Sequence, residues 1–163
     1  MSFKIGLGLL TVAAVSFGLG RATADSRAKL NPETEKNLST AMHGEAFAYA
    51  KYMLYAQQAR ENHHPEISDL FEKSAQTERF QHFAEEAELL GLVGSDADNL
   101  KDAIKGETYE VETMYFEFAH QAATAGDKEA AERFEEVRHD EMGHRDAFKA
   151  ALAKMDLPAG GSQ

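Results

Sequence analysis

Five glutamates, Glu45, Glu78, Glu107, Glu110 and Glu141, stand among apolar residues that repeat every three or four places, the spacing of a helix face turned toward a core. A carboxylate on such a face is costly unless it is protonated, paired or bound to a cation. No Arg or Lys lies on the same stripes, so metal is the remaining neutraliser. Five carboxylates bring a charge of −5, which two divalent ions nearly balance. His144 follows Glu141 by three residues, so both face one side of a helix. His82 follows Glu78 by four, again within one face, with Gln81 at the three-residue place and Glu85 a turn further on as alternatives. A glutamate on each of two helices, with Glu-x-x-His on each of the other two, is the ligand pattern of a carboxylate di-iron or di-manganese centre. The fourth helix meets that pattern, and the second misses it by one residue. A rival pair, Glu136 and His139, lies off the apolar stripe and reads as solvated surface.

Four helices must position these groups. The first runs from about Pro32 to Arg60, with Leu38, Ala41, Glu45, Ala48, Tyr52, Tyr55 and Ala59 inward. The second spans about Glu66 to Leu90, with Ile67, Phe71, Ala75, Glu78, His82, Glu85 and Leu89 on one side. The third spans about Asn99 to Thr124 and carries Glu107 and Glu110. The fourth spans about Lys128 to Met155. Pro65, the Gly-rich stretch 91–98 and Gly126 separate them. The two halves repeat: a shift of 63 residues superposes Tyr52 on Tyr115, Tyr55 on Phe118, Phe71 on Phe134 and Glu78 on Glu141. The expected fold is all-α, two helical hairpins paired as a four-helix bundle over residues 32–156.

Composition narrows the function classes. A net charge of −11 over 163 residues argues against a nucleic-acid partner. With no cysteine, disulfides, thiolate metal sites, thiol catalysis and cysteine-ligated iron–sulfur centres are excluded. Residues 1–24 read as a signal peptide or N-terminal anchor: Lys4, an apolar run from Ile5 to Gly20, then Ala22-Thr23-Ala24 as a small-x-small cleavage site. An exported or membrane-anchored protein is expected, with a cytoplasmic one as the alternative. Residues 25–31 form a linker and 157–163 a tail.

The stretch Gly106-Glu-Thr-Tyr-Glu110-Val-Glu-Thr-Met-Tyr-Phe-Glu-Phe-Ala119 closely resembles the third helix of rubrerythrins. Gly44-Glu45, and Glu141-Met-Gly-His144 followed by Phe148, resemble their first and fourth helices. The resemblance covers about Pro32 to Met155 and implies a ferritin-like di-iron domain without the rubredoxin module usual in the family. It implies Glu45, Glu78, Glu107, Glu110, Glu141 and His144 as ligands of two iron ions, with manganese as an alternative. In the family Glu110 exchanges with a second-helix histidine, here His82, on reduction.

In a ferritin-like bundle the second and third helices run parallel, which sets Glu78 and Glu107 at one level. The second helix continues ~20 Å past Glu78, and the third starts ~12 Å before Glu107. A loop of roughly eight residues reaches at most ~28 Å, short of the ~32 Å required. The expected assembly is therefore a homodimer in which hairpins are swapped between chains. The expected reaction is reduction of hydrogen peroxide to water with electrons from an external donor, rubredoxin-like or other, and with Glu110 carrying protons. A ferroxidase using dioxygen and a non-catalytic metal-binding bundle are the alternatives.

Overall fold

A computed structural model describes residues 29–155; the leader-like segment 1–24 and the tail from 157 lie outside them. Six α-helical segments form four rods. α1 (Pro32–Glu61) is the first. α2 (Pro65–Thr77) and α3 (Phe83–Leu90) make the second, joined through a π-helical turn at Glu78–His82. α4 (Asp96–Tyr109) and α5 (Tyr115–Ala125) make the third, joined through a π turn at Glu110–Met114. α6 (Lys128–Met155) is the fourth. No helix among the described residues is long and apolar enough to cross a membrane.

The rod ends follow from local chemistry. Asn31 Oδ1 accepts from the Glu33 N–H at 2.9 Å, and Pro32, which has no N–H to leave unpaired, opens α1. Ser95 Oγ accepts from the Asp98 N–H at 3.2 Å. That cap starts α4 at Asp96, three residues before the Asn99 expected from the sequence, and shortens the connection to Gly91–Ser95. The connection is itself tied down. Gly91 takes the left-handed conformation that closes α3 (φ 69°), and Gly94 exchanges hydrogen bonds with Asn99 at 2.8 and 3.3 Å.

α1 packs against α2 and α3, and α6 packs against α4 and α5. Each pair is sealed at its turn end by three rings. Tyr52, Tyr55 and Phe71 lie 5.3–6.4 Å apart in the first hairpin, and Tyr115, Phe118 and Phe134 lie 5.6–6.3 Å apart in the second. These are the residues that the 63-residue repeat superposes, so the duplication is structural as well as sequential.

Within the chain the bundle does not close. Among the described residues, no helix of the first hairpin touches a helix of the second. The apolar residues that are buried are Met42, Ala56, Ala59, Ala75, Ala87, Val111 and Ala119, and the largest fully buried side chain is that of Ser68. Tyr55 and Ile67, expected inward, are 46 % and 41 % exposed, and Phe118 and Met155 are at least 40 % exposed, because no helix of the other hairpin covers them. The expectation of a closed bundle thus holds for its two halves and not for one chain.

Candidate metal centre

The first hairpin brings Glu45, Glu78 and His82 together, with one ligand atom from each lying within 4.8 Å of the others. His82 Nδ1 sits 2.7 Å from Glu78 Oε2 and 3.8 Å from Glu45 Oε2. The second hairpin does the same with Glu107, Glu141 and His144. His144 Nδ1 lies 2.7 Å from Glu141 Oε2 and 4.0 Å from Glu107 Oε1. The two clusters have nearly one geometry, although one Glu–His spacing is four residues and the other three.

The π turn explains that equality. A π turn inserts one residue into an α-helix without disturbing the helix beyond it. Glu78–His82 is such a turn, so the extra residue is taken up where the sequence is out of step, and His82 reaches its glutamate as His144 does. Gln81 and Glu85, the sequence alternatives to His82, are both exposed and join neither cluster. The insertion also moves the inner face of α3 forward by one residue. Leu89, expected inward, is 62 % exposed, whereas Ala87 is buried. Glu86 replaces Glu85 as the partly buried acid of α3, and its charge bears on Glu45. Sequence reasoning missed Glu86; its signal was the row 78–82–86, hidden by an α-helical count.

The second π turn follows the same arithmetic. Glu45 to Tyr52 is seven residues, and Glu107 to Tyr115 is eight. The additional residue lies in Glu110–Met114, which sets Glu110 beside the cluster, partly buried, with its charge acting on both Glu107 and Tyr115. From α6, Arg138 Nε donates to the Val111 carbonyl at 2.7 Å and pins this widened turn. Arg138 and Arg145 are thus the cations near the second cluster, but they serve the Val111 carbonyl, Glu135, Glu112 and Asp146 rather than the cluster carboxylates.

The electrostatics are those of a site that wants cations. Burial, a hydrogen bond to Glu78 and the Glu78 charge push the Glu45 carboxyl above its ordinary range. Burial, with Glu141 in the same role and Glu110 adding to it, does so for Glu107. The hydrogen bond to Glu141 raises His144. Burial, then the charges of Glu110 and Glu141, raise the Tyr115 phenol. Oε2 of Glu107 is buried with no hydrogen-bond partner, and so is Oε2 of Glu86. A buried, unpartnered carboxylate oxygen among other carboxylates and an imidazole fits a divalent cation of the first transition row.

The other singled-out groups stand apart. Glu136 is 2.6 Å from Arg133 and exposed, and His139 is exposed with it. His43 holds the Ser39 carbonyl at 2.6 Å. His63, His64 and His120 are exposed. Tyr49 accepts from Arg79 at 3.1 Å and so does not turn its hydroxyl to the carboxylates.

Residues 36–152 match the family model for rubrerythrin. The chain is 32 % identical to a rubrerythrin of Porphyromonas gingivalis over 136 residues, covering 76 % of this chain and 68 % of that one. It is 30 % identical to a putative rubrerythrin of Methanocaldococcus jannaschii, covering 76 % and 71 %, and 30 % identical to nigerythrin of Nitratidesulfovibrio vulgaris, covering 83 % and 73 %. A solved structure of nigerythrin in its fully reduced, all-ferrous state aligns over 83 % of this chain and 73 % of that chain, at 31 % identity and a TM-score of 0.40. Two hairpins with matching Glu/Glu/His clusters, and a family match spanning nearly all the described helices, lead to one conclusion: this chain belongs to the rubrerythrin family.

Proposed function

We propose that the protein is a non-haem di-iron peroxidase that reduces hydrogen peroxide to water. The observation that carries this is the pair of equivalent Glu/Glu/His clusters, one of them with a buried carboxylate oxygen that has no partner. Glu45, Glu78 and His82 would hold one side of the metal pair, and Glu107, Glu110, Glu141 and His144 the other. When bound, two ferrous ions supply one electron each to peroxide, which takes up two protons and leaves as two waters.

The residues around the clusters do the rest. Five carboxylates, −5 in all, more than balance the +4 of two ferrous ions, which keeps the pair from being expelled into water. Glu110, partly buried in its π turn beside Glu107, carries protons inward. The Tyr115 phenol, raised by burial and by the charges of Glu110 and Glu141, is a candidate donor to the carboxylates of the loaded site. With no cysteine for a second redox centre, electrons come from an external protein or small molecule. The leader-like composition of residues 1–24 supports an exported or membrane-tethered site of action.

The test is rapid mixing of the anaerobic ferrous protein with peroxide or with dioxygen. Faster oxidation by peroxide is expected. Equal or slower oxidation by peroxide refutes the proposal, and sustained turnover of added Fe(II) with dioxygen identifies a ferroxidase instead.

A further inference from the structure

The π turn of the third rod takes from one backbone group its helical partner. In an α-helix the Tyr115 N–H would serve the Val111 carbonyl, four residues back. Here it donates to the Glu110 carbonyl, five back. Val111 is 3 % exposed, so water is a poor substitute, and an unanswered carbonyl there is costly. Arg138 answers it: its Nε donates to that carbonyl at 2.7 Å. The guanidinium is itself held, by Glu135 Oε2 at 3.2 Å and by the Phe116 ring, whose centre lies 5.2 Å away. In the second rod the matching carbonyl is that of Arg79, because the Phe83 N–H donates to Glu78, and Arg79 is an exposed residue.

α6 has a second hold on the same turn. Seven residues after Arg138, on the same face of the helix, Arg145 Nη1 lies 3.8 Å from Glu112 Oε1, and Glu112 belongs to the π turn. Glu141, a member of the second cluster, sits between the two arginines. One face of α6 thus carries a cluster carboxylate and two grips on the widened turn that it packs against.

What the grips fix is the place of the inserted residue. Glu110 opens the turn and Tyr115 follows it. With the insertion between them, Tyr115 stands one turn above Glu110 on a single face, where an unbroken helix would place Met114. Glu110 is close enough for its charge to act on both Glu107 and Tyr115. An insertion can sit at other points of a rod, and each residue that it passes turns by about 100°. Moved before Glu110, it would turn Glu110 away from Glu107. Moved beyond Tyr115, it would turn the phenol away instead. Each placement leaves a different carbonyl unanswered, and the one that Arg138 answers is that of Val111. We infer that Arg138, with Arg145 beside it, is a positioning residue of this site: it locks the insertion at Glu110–Met114 and so holds Glu110 and Tyr115 together on the face of Glu107 and Glu141. The inference rests on the di-metal reading for what these groups serve, and on the hydrogen bond for the lock.

Two measurements test it. The first needs no metal. Amide exchange is followed by NMR in the wild-type chain and in R138M, which keeps an apolar stem against Phe116 but has no donor. The N–H groups of Met114 and Tyr115 should exchange about 10–100-fold faster in R138M, the loss expected for a hydrogen bond from a charged donor, with α1 and α2 unchanged. Exchange that is unchanged, or faster by one factor in every helix, overturns the lock. So does a wild-type Arg138 Nε–H that exchanges as freely as that of an exposed arginine, a result that needs no variant. The second measures Co(II) affinity in the wild type, R138M, E110A and E110A/R138M, each checked for helicity. Removing a positive charge from beside a cation site should by itself tighten Co(II) binding. Positioning predicts the opposite: R138M should bind about 10–100-fold more weakly, the cost of losing a group that orients a ligand, with little further loss once E110A is present. Tighter or unchanged binding, or losses that add, overturn the inference. A wild-type chain that binds no Co(II) overturns the di-metal reading, and the exchange measurement then decides the lock alone.

Discussion

Deleting Gln81 separates the π-turn account of the second rod from an α-helical one. In an unbroken α-helix each residue advances the face by about 100°. Losing one residue would then swing everything after it by that angle. Ala87, 8 % exposed, and the half-covered Leu90 would leave the α1 side, and His82 would leave Glu78. Uncovering one large apolar side chain costs about 1.5–3 kcal/mol, and a small one less. In a domain of this length about 2–3 kcal/mol lowers Tm by roughly 8 °C. The π turn implies the opposite outcome. The deleted residue is the inserted one, so Glu78–His82 becomes Glu-x-x-His with ordinary α-helical bonds, and α3 keeps its face. The expected result is unchanged or slightly raised Tm, with undiminished Fe(II) binding. Thermal unfolding by circular dichroism and metal counting decide it. A fall of several degrees together with lost metal refutes the reasoning.

Two further outcomes follow from the second hairpin and from the protons. R138A removes the hydrogen bond to the Val111 carbonyl at 2.7 Å and the guanidinium lying 5.2 Å from the Phe116 ring; with the side chain partly exposed, the loss should be about 2 kcal/mol, read as a lower urea midpoint, and an unchanged midpoint counts against the clamp. Glu45, Glu107 and His144 all hold protons more tightly folded than unfolded, so the metal-free protein should gain stability as pH falls from neutral toward the ordinary carboxylate range and lose it as pH rises through the raised values. Asp98, lowered chiefly by its hydrogen bond with Ser95, works the other way, but only in acid below that range. Bound Fe(II) should reverse the trend, since ligands bind metal deprotonated; melting curves across pH, with chelator and with metal, check both signs, and a flat metal-free profile counts against the shifts.

Much of this was legible in the sequence because helices announce themselves by period. The four rods and their ends within a few residues came from three- and four-residue spacing, and the duplication from the 63-residue shift; the same spacing named Glu45, Glu78, His82, Glu107, Glu141 and His144 as candidates for one site, which the structure groups as two clusters. The inner face of α3 did not, because periodicity assumes a constant angle per residue and a π turn breaks it. One extra residue between Glu78 and His82 moved the inward acid from Glu85 to Glu86 and turned Leu89 out. The same insertion on the third rod was visible as the extra residue between Glu107 and Tyr115, but only by comparison with Glu45 and Tyr52. Tyr55 and Phe118 illustrate a different limit. Tyr55 lies on the apolar stripe and Phe118 is its repeat counterpart, yet both stay at least 40 % exposed, because period marks a face as apolar without stating what covers it.

The Gly91–Ser95 connection has a consequence of its own. Both of its ends are pinned, by Gly91 and the Leu92 N–H, which donates to the Ala87 carbonyl at 3.0 Å, at the close of α3, and by the Gly94–Asn99 and Ser95–Asp98 hydrogen bonds at the start of α4, which leaves Val93 between them. It is a short spacer, whose six steps from Leu90 to Asp96 reach about 22 Å at most. A spacer longer by about four residues would have the reach that closure on one chain demands. Lengthening this stretch would therefore change the reach between the two hairpins while leaving Glu45, Glu78, His82, Glu107, Glu141 and His144 on their helices.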